Sequence, residues 1–164
     1  MKEDLLNEFL YETEGTRKLL RAIPDDILDW KPSAQSWTTG QLASHIATIY
    51  FWYQGTFKQD VLDMSTLNYD TGDISKMENI ISKFEENAKS AEECVRSASD
   101  EDLKKTWRMV AGGRDLMPPA PRLQIVRGFL FNHLYHHRGE MIVYLRSNGK
   151  EIPGLYGPTA ADSW

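Results

Sequence analysis

The sequence contains few cysteines, few histidines and no long apolar runs. These scarcities exclude certain kinds of structure. A single cysteine, Cys94, excludes an internal disulfide bond and favours a reducing compartment. No apolar stretch reaches the roughly 20 residues that a membrane-spanning helix needs. Residues 1–6 carry acids and lack the apolar core of a secretion signal, so we expect a cytoplasmic protein with no membrane partner.

Basic residues are fewer than acidic ones. Lys and Arg total 19 against 24 Asp and Glu, which gives a formal net charge of −5. An acidic chain without a basic run is a poor candidate for nucleic-acid binding, so we expect no nucleic-acid partner. The length of 164 residues, of which 41% are hydrophobic, suits a single domain over residues 1–164 with a sizeable core.

Helical periodicity is what the sequence does contain. Apolar residues recur at intervals of three and four over four long segments. The second segment starts at a capping box, in which Thr38 supplies the N-cap hydroxyl and Gln41 the N3 side chain. Separated by long connections, these segments predict an all-α fold, a four-helix bundle. The predicted helices are 3–22, 38–53, 75–98 and 121–148.

Two features lie outside these helices. Residues 105–110 could form a short extended piece, followed by a turn at 111–114. The tail, 150–164, contains Tyr156 and ends in Trp164. Because this tail is apolar for an end segment, we expect it to pack back onto the bundle.

The four histidines lie in two of the predicted helices, His45 in the second and the others in the fourth. His133 and His137 are about 40° apart around the helix axis and share the apolar face. His136 lies about 100° behind His137 and aligns with Phe129 on the flank. Helical phase therefore favours His133 and His137 as inward-facing. A competing pair, His133 with His136 at a spacing of three residues, also fits helix geometry.

Three inward histidines on two helices favour a metal site. Burying three imidazoles without partners costs about 1–3 kcal/mol each, and a divalent metal removes that cost by binding one nitrogen of each ring. Three protein ligands leave an open position, as at catalytic zinc sites. Two other interpretations stay open: a non-catalytic metal that joins the helices or is sensed under stress, and an empty pocket with a protonatable histidine cluster.

The remaining chemically active residues are weaker candidates. Cys94 lies next to the core stripe of the third helix, which favours a half-buried small hydrophobe over a nucleophile. Tyr50, Trp52 and Tyr53 follow His45 at helical spacing. That spacing is more typical of core residues than of an entrance to the histidines.

Three stretches, 30–38, 42–46 and 133–140, carry a family resemblance. The first holds Trp-Lys-Pro followed by Ser-Trp-Thr, the second a Leu-x-x-His segment, and the third reads H-x-x-x-H-R-G-E. Their order and spacing, over about residues 5–157, resemble the DinB/YfiT-like superfamily of metal-binding four-helix bundles.

The resemblance implies a site, an assembly and a chemistry. Carried over position by position, the family's metal triad falls on His45, His133 and His137, with zinc or nickel as the divalent metal. Members are frequently homodimers. Some are S-transferases or isomerases that use a low-molecular-weight thiol on a small-molecule electrophile, and many have no known activity. Glu140 stands where the signature commonly has glutamine, and an acid there could orient a ligand or disturb the charge balance of the metal.

Overall fold

Most of the chain is helical, and the long helices begin and end close to the predicted positions. In the computed structural model, which describes residues 1–160, 57% of the residues are helical. Among the described helices, none combines the length and apolar character needed to cross a bilayer. In chain order the helices are α1 (Lys2–Arg21), α2 (Thr39–Ile49), α3 (Trp52–Phe57), α4 (Met77–Ser97), α5 (Asp100–Lys104), α6 (Arg122–Ile125) and α7 (Asn132–Ser147).

The second predicted helix is divided in two. Its capping box is confirmed, because the Gln41 N–H donates to the Thr38 hydroxyl at 3.2 Å and the Thr38 N–H donates to the Gln41 side chain at 2.9 Å. The helix ends at Ile49 instead of continuing to Tyr53, and a two-residue turn, Tyr50 and Phe51, separates it from α3. Tyr50 and Tyr53 are buried in the core, as their spacing favours.

The fourth predicted helix is confirmed in extent and is irregular near its start. It runs from α6 to α7 through a π-helical segment, Val126–Phe131. A π-helical segment changes the direction in which side chains leave the helix, and such segments are frequent at functional sites. This one ends two residues before His133.

The main core lies between α1, α2, α4 and α7. Helix α4 packs against α1, α2 and α3, while α7 packs against α2. Helix α2 is central, and nine of its 11 residues are buried. Burial of these apolar faces is the main force that holds the helices together. Large side chains at the centre of this core include Phe9, Leu20, Ile46, Phe84 and Leu145.

A small sheet is also present, so a strictly all-α fold is not confirmed. Strand β1 runs parallel to β2, and β3 and β4 are antiparallel to β2. Gly112 and Gly113 form the β2–β3 turn with φ values of 54° and 77°, which glycine adopts without strain. The predicted extended piece and turn are therefore confirmed. The strands are β1 (Val61–Asp63), β2 (Thr106–Ala111), β3 (Arg114–Asp115) and β4 (Ala120–Pro121).

The sheet covers a second, smaller core. Along β2, Trp107 and Met109 are buried whereas Arg108 is exposed, which is the alternation of a strand with one face inward. Trp52 and Phe129 pack at the edge of this core and connect it to the region of the histidines. The fully buried members are Leu62, Trp107, Met109 and Ile125.

The tail packs back onto α1 and α7, as expected. Leu155 contacts the main core, and the Tyr156 hydroxyl bonds to both Glu12 and Arg138. Arg138 and Glu12 form a buried ion pair between α7 and α1. Trp164, the other aromatic residue of this expectation, lies outside the described residues.

Candidate metal centre

Three histidines meet where α2 packs against α7. His45 lies in the second turn of α2, and His133 and His137 lie one turn apart on α7. The Nε2 atoms of His45 and His133 are 3.0 Å apart. One potential ligand atom from each of the three residues lies within 4.8 Å of the other two. The structure thus brings together the three residues that helical phase and the family motif select.

His136 points away from this cluster. Its side chain is 64% exposed, and its Nε2 lies 3.5 Å from the Glu140 carboxylate. His137, in contrast, is only 9% exposed. The inward phase predicted for His137 is confirmed, and the competing pair of His133 with His136 does not share a face. His136, His137 and Glu140 form a second group of possible ligands on the more exposed side of His137.

Glu140 fixes the ring of His137. The His137 Nδ1–H donates to the Glu140 carboxylate at 2.6 Å. A proton on Nδ1 leaves the lone pair on Nε2, which makes Nε2 the nitrogen available for a metal. Carboxylate partners of this kind are common behind metal-binding histidines. Two effects are expected of an acid at position 140: orientation of a ligand, or disturbance of the charge balance of a metal. The contact with His137 supports the first.

Burial keeps two of the imidazoles neutral. Desolvation lowers the pKa of His45 to about 4, and the neighbouring His137 and His133 act in the same direction. Desolvation also lowers the pKa of His133 to about 4, with smaller contributions from His137 and His136. Both rings are therefore neutral at pH 7. A neutral imidazole is the form that binds a metal ion.

Trp37 covers the cluster from the loop that precedes α2. Its indole ring lies 4.8 Å from the His45 ring and 5.7 Å from the His137 ring, on which it is stacked at 30°. The residue is nevertheless 46% exposed. A large ring held at the surface against two imidazoles shields them in part from water. The sequence places Trp37 in a family motif, and its contact with the histidines emerges only from the fold.

Two more aromatic residues make contacts at the cluster that the sequence reasoning missed. Phe129 stacks on His133 with ring centroids 5.4 Å apart and an interplanar angle of 29°. The two residues are four apart, a spacing at which side chains of one helix meet. The alignment of Phe129 with His136 stays a prediction. Tyr69 comes from the connection between β1 and α4, and its hydroxyl bonds to the Thr48 hydroxyl. No periodic pattern marks Tyr69.

The donor set suits zinc or nickel. Imidazole nitrogen is a preferred ligand of both metals. Two nitrogens on a tetrahedral zinc ion lie about 3.3 Å apart, which is close to the 3.0 Å between the Nε2 atoms of His45 and His133. Both rings are also neutral at pH 7, so metal binding does not have to displace the second proton of an imidazolium. Three such ligands would leave at least one position open.

Comparison with known proteins covers the whole chain. The model of the DinB family matches residues 1–164. The uncharacterized protein YrdA of Bacillus subtilis (strain 168) is 26% identical over an alignment of 164 positions, and the match covers 99% of this chain and 91% of YrdA. The crystal structure of a DinB-like protein from Bacillus cereus ATCC 10987 has a TM-score of 0.70 and 25% identity, and the match covers 94% of this chain and 97% of the other.

A more distant structure shares the fold. YfiT from Bacillus subtilis is described as a probable metal-dependent hydrolase with an unusual four-helix bundle topology. It has a TM-score of 0.66 at 15% identity, with 92% of this chain and 89% of YfiT covered. At that identity the likeness shows the fold alone. With the family match over its full length, this chain belongs to the DinB family.

Proposed function

We propose that this protein is a divalent-metal-dependent enzyme that transfers a low-molecular-weight thiol to small electrophilic molecules, with His45, His133 and His137 as metal ligands. The convergence of three imidazoles from two helices carries the proposal. We expect zinc or nickel, since both favour nitrogen ligands. When bound, the metal would supply a Lewis acid that lowers the pKa of a thiol or water ligand toward neutrality.

The protein's own residues orient and shelter the reaction. Glu140 holds the His137 ring, and Trp37 limits the access of water to the imidazoles. A cavity of about 320 Å³ beside His45 admits a small molecule. In the transfer, the thiol gives its proton to solvent, its sulfur bonds to the electrophilic carbon, and the leaving group departs with the electrons of the broken bond.

The thiol has to arrive as a substrate, because the protein's own cysteine is in the wrong place. Cys94 is buried on α4 and borders a different cavity from the one at His45, next to Phe57 and Lys58. Burial raises the pKa of the Cys94 thiol. A buried, protonated thiol is a poor nucleophile, so Cys94 acts as a small core residue, as the sequence favours.

Hydrolysis is the second candidate reaction. It is favoured by the shared fold of YfiT, which is described as a probable metal-dependent hydrolase. A metal with three protein ligands and an open position is also an arrangement that activates water. The two reactions differ in their second substrate. Turnover that requires an added thiol supports transfer, whereas turnover in thiol-free buffer supports hydrolysis.

The alternative to an enzyme is a non-catalytic metal site in a structural or stress-associated protein. We favour the enzyme, because apolar packing already joins the two helices that carry the histidines. Leu42 and Ile46 of α2 and Leu134 of α7 are all buried in the main core. A metal is therefore not required to hold α2 against α7.

Metal analysis with a histidine series tests the site. We expect purified or reloaded protein to contain about one zinc or nickel ion per chain. His45→Ala and His137→Ala should each lose most of the metal affinity, while His136→Ala, on the same helix as His137, should keep it. Less than about a tenth of an equivalent after reloading would reject the site. Equal losses for His136→Ala and His137→Ala would reject the choice of ligands.

The assembly is part of the same proposal. The DinB resemblance supports a homodimer, and light scattering should then give twice the chain mass of 18.9 kDa. We also keep the cytoplasm as the expected location. Fractionation of cells that express a tagged chain measures it directly.

A further inference from the structure

The cavity next to His45 is built from two parts of the chain. One wall comes from Trp37 and the first turns of α2, and the other comes from the connection between β1 and α4, residues 64–76. Two hydrogen bonds fasten this connection to α2. The Ser44 hydroxyl donates to the Thr71 carbonyl at 2.6 Å, and the hydroxyls of Tyr69 and Thr48 bond to each other.

The lining of this cavity is apolar and aromatic with a few neutral polar groups. Trp37 and Tyr69 supply rings, and Ile74 supplies an aliphatic surface. The Gln41 side-chain oxygen accepts the Thr38 N–H of the capping box, so its amide N–H groups remain as donors. The histidine cluster forms one end of the cavity through His45.

No Asp, Glu, Lys or Arg is among the described residues that line the cavity. A charged group brought into such a cavity loses part of its hydration without gaining an ion-pair partner, and that costs free energy. The nearest carboxylates of the same connection, on Asp70 and Asp73, belong to exposed residues and cap backbone N–H groups of Gly72 and Ser75. They lie outside the lining, and Asp70 also pairs with Lys83 of α4 at 3.7 Å.

We propose that this cavity selects uncharged substrates: small molecules whose reacting end reaches the histidine cluster and whose apolar or aromatic body lies between Trp37, Tyr69 and Ile74. The inference deepens the proposed function and rests on it for the identity of the reacting end. The selection itself comes from the cavity walls, so it is measurable with or without a metal.

Three matched thiols test the selection. They are 4-methylbenzyl mercaptan, which is neutral, 4-(mercaptomethyl)benzoate, which is anionic, and 4-(aminomethyl)benzyl mercaptan, which is cationic. Binding to cobalt-loaded full-length protein is followed by the sulfur-to-cobalt absorption band, and binding to metal-free protein by ligand-observed NMR. We expect the neutral thiol to bind at least roughly tenfold more tightly than either charged one.

A charge-placement variant makes the test specific to the cavity. Thr71→Lys puts a cation on the lining and should tighten binding of the benzoate by roughly tenfold. Asn68→Lys adds the same charge to an exposed residue of the same connection outside the lining, and it should change the benzoate affinity little.

The outcomes separate this proposal from the metal site. Three results would each overturn the proposed selection. They are equal affinities for the three thiols, equal effects of the two lysine variants, and no binding to either cobalt-loaded or metal-free protein. Failure to bind cobalt would reject the metal site alone, because the NMR ranking on metal-free protein still measures the cavity. A neutral preference in that ranking supports the selection in either case.

Discussion

Removing the Glu140 carboxylate should weaken metal binding without removing a ligand. The His137 Nδ1–H donates to Glu140 at 2.6 Å, and this contact sets the tautomer that leaves Nε2 free. Loss of such a partner behind a metal-binding histidine costs about 10–100-fold in metal affinity. The Glu140 side chain is 43% exposed, so water replaces part of the lost hydrogen bond. We therefore expect a loss near tenfold for Glu140→Ala, about 1.4 kcal/mol.

The loss of zinc affinity in a second variant distinguishes the hydrogen bond of Glu140 from its negative charge. Glu140→Gln keeps an acceptor oxygen for the Nδ1–H but removes the negative charge, so it should lose less affinity than Glu140→Ala. The assay is competition for zinc against a chromophoric chelator at constant pH. Glu86→Ala, at an exposed acid on α4, controls for the change in net charge. If Glu140→Ala binds zinc as tightly as Glu86→Ala does, the hydrogen bond does not orient the ligand and the reasoning fails.

Three further results are expected. Glu12→Gln leaves the buried Arg138 without its counter-charge, so urea denaturation should show a loss of about 3–5 kcal/mol and thermal denaturation a Tm lower by about 6–20 °C. A loss below about 1 kcal/mol would contradict the pairing. Removing metal with a chelator should leave the far-UV circular dichroism and a cooperative thermal transition in place, because apolar packing holds the bundle. Loss of helicity would instead favour a structural metal. Cys94 should react with a thiol reagent far more slowly in native than in urea-unfolded protein, and a fast native reaction would reopen its role as nucleophile.

The parts of the fold that the sequence predicts are those that local residues determine. Helix α2 begins directly after Thr38 because the Thr38 and Gln41 side chains bond to each other's backbone N–H groups. The turn at Gly112 and Gly113 follows from the positive φ that two adjacent glycines allow. The long helices follow from the repeat of their apolar residues. Each of these features depends on residues that are close together in the chain, so it can be predicted from the sequence.

The sheet escaped prediction because its pairing is long-range. Strand β1 has only three residues, too few to show an alternating pattern. Its partner β2 lies more than 40 residues further along the chain, with Leu62 opposite Met109. Only the folded chain decides that these two apolar residues share a face and pack with Trp107. A propensity for strand in β2 was visible, but a partner for it was not.

The candidate site also has a part that local sequence predicts and a part that only the folded chain determines. The inward orientation of His133 and His137 follows from phase along a single helix, which the π-helical segment before it does not disturb. The contacts of Trp37 and Tyr69 depend on how a loop and a long connection lie over α2, and neither segment has a repeat to interpret. Sequence therefore selects the histidines, whereas packing supplies the walls around them.

Residues 137–140 show how one helical turn serves both the site and the core. His137 and Glu140 are three residues apart and lie on the side of α7 near Trp37, where they bond to each other. Arg138, about 100° further around the axis, lies on a different side, where it pairs with Glu12 of α1. Gly15 makes room for it, since a Cβ there would lie 3.0 Å from the Arg138 guanidinium. We infer that the buried pair helps the apolar residues of α7 to set the rotation of this helix, which places His133 and His137 beside His45. Consequently, a substitution at Glu12 that leaves the protein folded should still alter the histidine cluster, although Glu12 contacts none of its rings.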